Sequence, residues 1–298
     1  IRRFLERYPG AALVGNAKTF VMLDQFFPEL PRAARLTVKD GEELCLGAHT
    51  LRFLFAPMVH WPEVMVTYDE KDRVLFSADG FGKFGALDVD APWDDEARRY
   101  YIGIVGKYGA QVQKLLKAAS ALDIQIICPL HGPVLRENLG HYLEKYDLWS
   151  SYRSEERGVL IACASIYGHT RAAARLLRDE LAKLGQKTVL ADLARADMAE
   201  CVAEAFRYDR LVLAGVTYNG DLFPCMRAFL HALTERNYQG RTVAFIENGT
   251  WAPASGRLMA TALEKCKNLT FKEKVTIKSA MNDASREAIV RLAQDLAE

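Results

Sequence analysis

His60, Asp79 and His131 are the residues of this sequence best suited to hold a metal ion. Each follows an apolar stretch that reads as a strand: 51–55 before His60, 73–77 before Asp79, and 124–128 before His131. Each is followed by a turn. Imidazole and carboxylate are suitable ligands for iron or zinc, and one aspartate can bridge two ions. Taken singly, each residue also has a plain reading. His60 can be a capped loop histidine, Asp79 can hold the turn at Gly80, and His131 can bond a backbone carbonyl. A second group points to an anion. Residues 165–170 (SIYGHT) lie between the apolar run 158–164 and a stretch whose Ala172, Ala173, Leu176, Leu177, Leu181 and Leu184 recur at helical spacing. A strand thus feeds a short turn that opens a helix. Free backbone N–H groups and the positive end of the helix dipole attract a phosphate there. Ser165 and Thr170 add hydroxyl donors, and the turn has no Lys or Arg. The plain alternative is an ordinary strand–helix connection with Thr170 as its cap.

The elements that must position these residues differ between the two halves. The second half alternates strands (158–164, 187–191, 210–216, 241–247, 274–278) with helices (170–184, 197–205, 223–235, 256–267, 284–297). That rhythm predicts an α/β domain with a five-stranded parallel sheet and helices on both faces. The first half is less regular. It reads as a strand at 11–14, a helix at 18–26, strand–turn–strand units at 43–46 with 51–55 and at 64–68 with 73–77, helices at 94–105 and 107–121, a strand at 124–128, and a helix ending near Trp149. The polar run 147–157 (DLWSSYRSEER) is the expected linker, so the domains are expected at 1–150 and 151–298.

An open parallel sheet binds its ligand beyond the carboxyl ends of its strands. Three loops fall there: 165–170, then 217–224 (TYNGDLFP), then 248–253 (NGTWAP). The last two each carry a large aromatic, small residues and Asn. Aromatics can stack on a flat isoalloxazine ring, while amides can bond its pyrimidine edge. Any one of these loops can be a turn with a packed aromatic. The three at the right strand ends point to FMN.

Composition sets outer limits. The chain has 298 residues and a net charge of +1, enough for two domains and no basis for nucleic-acid binding or a basic membrane face. No apolar run approaches the length of a membrane-spanning helix. The start, IRRFLERYPG, lacks the apolar core of a signal peptide and begins without Met. The six cysteines (Cys45, Cys128, Cys163, Cys201, Cys225, Cys266) form no C-x-x-C pair; several, such as Cys128 and Cys163, sit in apolar strand-like contexts expected to hold buried free thiols, and a reducing cytoplasm fits best.

The second half resembles flavodoxin-like FMN domains over essentially its full length, and the three loops look most like those of flavodiiron proteins. The resemblance assigns Ser165, Tyr167, Gly168, His169 and Thr170 to the phosphate side of FMN. It assigns Thr217, Tyr218, Asn219, Gly220, Asn248, Gly249 and Trp251 to the ring side. His169 fills a variable slot and is read as a backbone donor with its imidazole near solvent. The stretch 59–136, with HWPE, SADGFGKFGALD, EARRYY, IVGKYG and CPLHGPV, resembles the metallo-β-lactamase-like αββα domain of the same family. By that resemblance His60 and His131 each serve one iron and Asp79 bridges the pair. One departure matters. The family's first ligand cluster, His-x-Glu-x-Asp-His, is absent from this sequence. The expectation is therefore an N-terminally truncated, partial αββα domain with an incomplete ligand set and a partly uncovered sheet face. His49, His141 and His231 are read as structural or solvent-facing.

The resemblance implies an oxidoreductase that reduces dioxygen to water, nitric oxide to nitrous oxide, or both. Electrons would pass from a separate donor, a rubredoxin-like protein or reduced deazaflavin, through FMN to two irons. A head-to-tail homodimer is implied as well. Two alternatives stay open: an FMN-binding electron-transfer module without a competent metal site, and a metallo-hydrolase with an accessory flavin domain.

Overall fold

The computed structural model describes residues 1–31, 33–89 and 91–298. They form two compact units, Ile1–Ser151 and Tyr152–Glu298. The first begins with α1 (Arg2–Arg7), β1 (Ala12–Gly15), α2 (Ala17–Phe26) and β2 (Ala34–Thr37). Asn16 caps α2 by accepting from the Thr19 N–H, and its amide donates to the Glu63 carbonyl at 2.8 Å. β1 and β2 pair in parallel, separate from the main sheet. The main sheet is an antiparallel meander of β3 (Glu43–Cys45), β4 (Thr50–Phe55), β5 (Met65–Asp69) and β6 (Val74–Phe76). Next come α3 (Trp93–Tyr100), a π-helical turn Tyr101–Val105, and α4 (Gly109–Ala119). β7 (Ile126–Cys128) then joins β6 in parallel, and α5 (Leu139–Ser150) closes the unit.

The register puts Val66, Tyr68, Leu75 and Ile127 on one sheet face, all buried. On the opposite face Phe53 is buried, but Met65, Val74, Ile126 and Cys128 are half-buried and Phe76 is exposed. One face is thus left partly uncovered. The sequence reading differs from the structure in four places here. The helix expected at 94–105 breaks into α3 and the π turn. The expected linker is shorter, because α5 runs on to Ser150 with Tyr146 and Trp149 buried on its inner side. β2 gave no signal because all four of its residues are exposed, so no alternation marks it. α1 was also missed, a single buried Leu5 being its only apolar anchor.

The second unit runs β8 (Glu156–Cys163), α6 (His169–Lys183), β9 (Thr188–Asp192), α7 (Met198–Arg207), β10 (Tyr208–Tyr218), β11 (Asp221–Leu222), α8 (Pro224–Thr234), β12 (Thr242–Asn248), α9 (Ser255–Ala262), β13 (Thr270–Phe271), β14 (Val275–Ile277) and α10 (Asp283–Ala297). The parallel order across the sheet is β9, β8, β10, β12, with β13 and β14 both on the far side of β12. The fifth strand expected at 274–278 is β14, and the two-residue β13 before it lies outside the expected range. Strands β8, β10 and β12 are buried on both faces, which is why they read as continuous apolar runs. One face packs Val159, Ile161, Val212 and Ala244 against Leu177 and Leu181 of α6 and Ile289 of α10. After β8 the chain goes to one side for β9 and then to the other for β10. That reversal opens a crevice at their carboxyl ends.

One buried carboxylate holds the end of β12. Glu247 is 2% exposed, pairs with Lys274, and accepts from Thr276 Oγ1 at 2.7 Å and from the Gly256 N–H at 3.0 Å. Burial raises its pKa, but these partners outweigh it and hold the carboxyl below its ordinary 4.5. A lowered folded pKa contributes stability that is present above the unfolded value and is lost as pH falls through the folded one. Glu247→Gln should therefore cost roughly 2–3 kcal/mol at neutral pH, with the difference shrinking as pH falls below the ordinary carboxylate value and through the lowered folded one. Urea denaturation of both proteins across that range measures it. Among the described residues no helix is long and apolar enough to cross a membrane. All six cysteines are free thiols.

Candidate functional site

The turns after β4, β6 and β7 bring His60, Asp79 and His131 together. The turn after β6 is tightly made: the Ser77 hydroxyl donates to the Gly80 carbonyl at 2.7 Å, and the Gly80 N–H donates to the Ser77 carbonyl at 2.9 Å. The His131 turn is tied to it at both ends. The Leu130 N–H donates to the Ala78 carbonyl at 2.8 Å, and the Lys83 N–H donates to the His131 carbonyl at 3.3 Å. The result is a carboxylate between two imidazoles. Asp79 Oδ2 lies 3.4 Å from His60 Nε2, and Asp79 Oδ1 lies 3.2 Å from His131 Nε2. Asp79 is mostly buried, at 14% exposure, and the histidines are more open. One oxygen toward each imidazole is the arrangement a bridging carboxylate takes.

Two residues not chosen from the sequence belong to this neighbourhood. Glu63 shares the wall of a cavity of about 400 Å³ with His60 and Asp79, and its Oε2 is buried without a hydrogen-bond partner. Tyr100 packs its ring 5.6 Å from the His131 ring. Burial first, and the Asp79 charge second, push its phenol pKa upward. Glu63 sits within the HWPE string and Tyr100 within EARRYY. Nothing in their spacing ties them to Asp79, so only the fold could find them. The other histidines lie elsewhere. His49 Nδ1 bonds Asp69 Oδ2 at 2.7 Å, with Asp72 close by, and locks a hairpin turn. His141 bonds Asp94 at 2.6 Å, and His231 is exposed on α8.

The second unit holds a cavity of about 550 Å³ at the crevice, within the size range of cofactor sites. Ser165, Tyr167, His169, Thr170, Thr217, Tyr218, Asn219, Gly220, Asn248, Gly249 and Trp251 all line it. Gly168 stands just behind, with φ +91° and its N–H bonded to Ser165 Oγ at 3.1 Å. That positive φ is one that glycine adopts without a steric penalty. Thr170 is 2% exposed, and its hydroxyl has no hydrogen-bond partner among the described residues. Tyr167 and Trp251 are each 89% exposed, unusual for aromatics of that size. His169 is exposed too.

Several of these side chains have structural duties that spacing could not reveal. The Asn248 amide donates to the Ser279 carbonyl at 2.9 Å, and its Oδ1 accepts from the Ser279 N–H at 3.0 Å. It is therefore partly committed to holding the cavity wall. Thr217 Oγ1 accepts from the Ala254 and Ser255 N–H groups and so caps α9. Asn219 and Gly220, with φ +50° and +72°, form the two-residue turn joining β10 to β11. Ser279, just past β14, also lines the cavity, and no motif in the sequence marks it.

Comparison with known proteins places both units among similar folds. Residues 3–132 match a family model described as ODP family beta lactamase. A type A flavoprotein of Rhodobacter capsulatus is 30% identical over 241 residues, covering 77% of this chain and 55% of that protein. The nitric oxide reductase of Moorella thermoacetica is 28% identical over 240 residues, covering 77% of this chain and 60% of that protein. The crystal structure of the flavodiiron protein from Giardia intestinalis superposes with a TM-score of 0.88 at 25% identity, covering 99% of this chain and 75% of that one. The chain spans about half the length of the curated relatives it matches. With a beta-lactamase-like first unit, a flavodoxin-like second unit and these relatives, the chain is similar over almost its whole length to the flavodiiron proteins.

Proposed function

We propose that this chain is a flavodiiron oxidoreductase that reduces dioxygen to water, nitric oxide to nitrous oxide, or both. Residues 1–150 would be the metal domain and 151–298 the FMN domain. A separate donor, a rubredoxin-like protein or a reduced deazaflavin, would supply electrons to a head-to-tail homodimer. The observation that carries the reading is the Asp79 carboxylate, which turns one oxygen to His60 and the other to His131. Those donors suit a pair of ions bridged by Asp79 in chemical type and in arrangement, with two protein donors for each ion. Bound iron would supply the redox chemistry on the substrate, and bound FMN would take up and pass on electrons.

The chain's own residues orient and shield. His60 and His131 would each hold one ion, with Asp79 between them. The fold of the second unit suits FMN independently. Ser165, Gly168, His169 and Thr170 surround the positive end of α6, where the unpartnered Thr170 hydroxyl and the free N–H groups would meet the phosphate. Tyr167 and Trp251 offer exposed ring faces to the isoalloxazine. Tyr218, Asn219 and Gly220 would border its edge with Thr217, Asn248 and Gly249.

The test is to purify the chain after growth with iron and riboflavin, then measure bound metal, bound flavin, and anaerobic consumption of nitric oxide. The expected result is FMN at one per chain, with iron and nitric oxide consumption together. FMN without iron or consumption would favour the carrier reading, which rests on the small number of donors per ion. Zinc with hydrolase activity would favour the metallo-hydrolase. Trp251→Ala is expected to weaken FMN binding about tenfold, by removing one stacking face worth about 1 kcal/mol or more. Quenching of flavin fluorescence on titration reads that change.

A further inference from the structure

Arg171 carries a charge of the wrong sign for its place. It lies in the first turn of α6, where the helix dipole disfavours a cation, and that turn contains no acidic residue. Its guanidinium Nη1 bonds Asp192 Oδ2 at 3.2 Å, and the pair is part-exposed. Asp192 ends β9 beside Cys163, at the foot of the 165–170 loop. It is already approached from another side, since Arg195 Nε lies 3.8 Å from the same oxygen. Arg171 reaches the loop itself: a β-carbon placed on Gly168 would meet Arg171 Nη2 at 3.9 Å. On the cavity side of that loop, Thr170 is nearly fully buried and its hydroxyl is unpartnered among the described residues. The Thr170 side chain lines the cavity, and a guanidinium that shares its carboxylate with Arg195 stands beside Gly168 of the same loop.

We infer that Arg171 is the counter-charge for the flavin's phosphate, and that on binding it exchanges Asp192 for a phosphate oxygen. This rests on the FMN reading above and adds a residue that discriminates between flavins. The loop's backbone and hydroxyl donors recognise an oxyanion, but none of them is charged. A phosphate monoester carries close to two negative charges at neutral pH, and a guanidinium meets it with paired N–H donors. Asp192 stays neutralised by Arg195 when Arg171 turns away. No bond is made or broken. Riboflavin, which lacks the phosphate, draws nothing from Arg171.

The experiment titrates the flavin-free full chain with FMN and with riboflavin, following fluorescence quenching. Arg171→Gln is expected to weaken FMN about 10- to 100-fold, the worth of one charge-assisted hydrogen bond, and to leave riboflavin within about twofold. Asp192→Asn frees Arg171 and is expected to tighten FMN severalfold with riboflavin unchanged. A gain in affinity cannot come from misfolding, so the second variant guards against a collapsed first one. An unchanged ratio of FMN to riboflavin affinity in Arg171→Gln, or no tightening in Asp192→Asn, overturns the exchange while leaving the FMN site intact. Failure of the parent chain to bind either flavin instead overturns the FMN reading, and this inference with it.

Discussion

Asp79→Ala is expected to lower iron affinity by more than about 100-fold and to abolish nitric oxide consumption, with little change in folding stability. The loss should exceed the 10- to 100-fold that removing an outer-shell partner typically costs, because Asp79 would be a ligand to both ions. Its two oxygens face His60 and His131 at 3.4 and 3.2 Å, so alanine leaves two imidazoles with nothing between them. The fold should tolerate the change. The turn is held by Ser77, Gly80, Leu130 and Lys83 through backbone and hydroxyl bonds that do not use the Asp79 side chain. Metal analysis after dialysis, alongside urea denaturation, separates the two quantities. An iron-free but equally stable variant is the expected pair of results. Equal iron in variant and parent would place the metal elsewhere.

Gly249→Ala should nearly abolish FMN binding. A β-carbon there would sit 2.7 Å from Pro253 Cα and 3.1 Å from Pro253 N, both backbone atoms. Neither can rotate away, so the 248–253 loop must shift. Trp251 and Asn248 move with it, and a shift of a few tenths of an ångström in each spoils the wall they form. We expect FMN affinity to fall by about 100-fold or more. Gly220 gives the contrast. Its φ is +72°, but an added β-carbon would meet nothing within 4 Å. Gly220→Ala carries only the left-handed backbone cost of about 1–2 kcal/mol in the hairpin turn. FMN titration of the two variants should rank Gly249→Ala far weaker. The reverse ranking would mean that the 248–253 loop does not shape the flavin site.

The features legible in the sequence were those set by local periodicity. The run into Ser165, the helix after it and the Asn-Gly turn at 219–220 follow from strand alternation, helical spacing and positive-φ residues. The ends of β8, β10 and β12 then placed three loops on one rim without any knowledge of contacts. Other features depended on distant partners and left no trace. Glu63 comes to share a cavity wall with Asp79 only after β5 and β6 pair. Thr217 is bound to α9, 37 residues on, and Asn248 is bound to Ser279, 31 residues on. Neither distance is marked by any spacing rule. The exposed β2 and the π turn after α3 lacked a pattern for a simpler reason. The first has no buried side to alternate, and the second keeps helical spacing while changing its hydrogen bonds.

The most direct measurement is anaerobic stopped-flow mixing of nitric oxide with the chain carrying reduced FMN, with and without iron, following flavin reoxidation. The account predicts fast reoxidation and nitrous oxide only when iron is present, and loss of both in Asp79→Ala. Reoxidation at one rate in the iron-loaded parent, the iron-free parent and Asp79→Ala would contradict it.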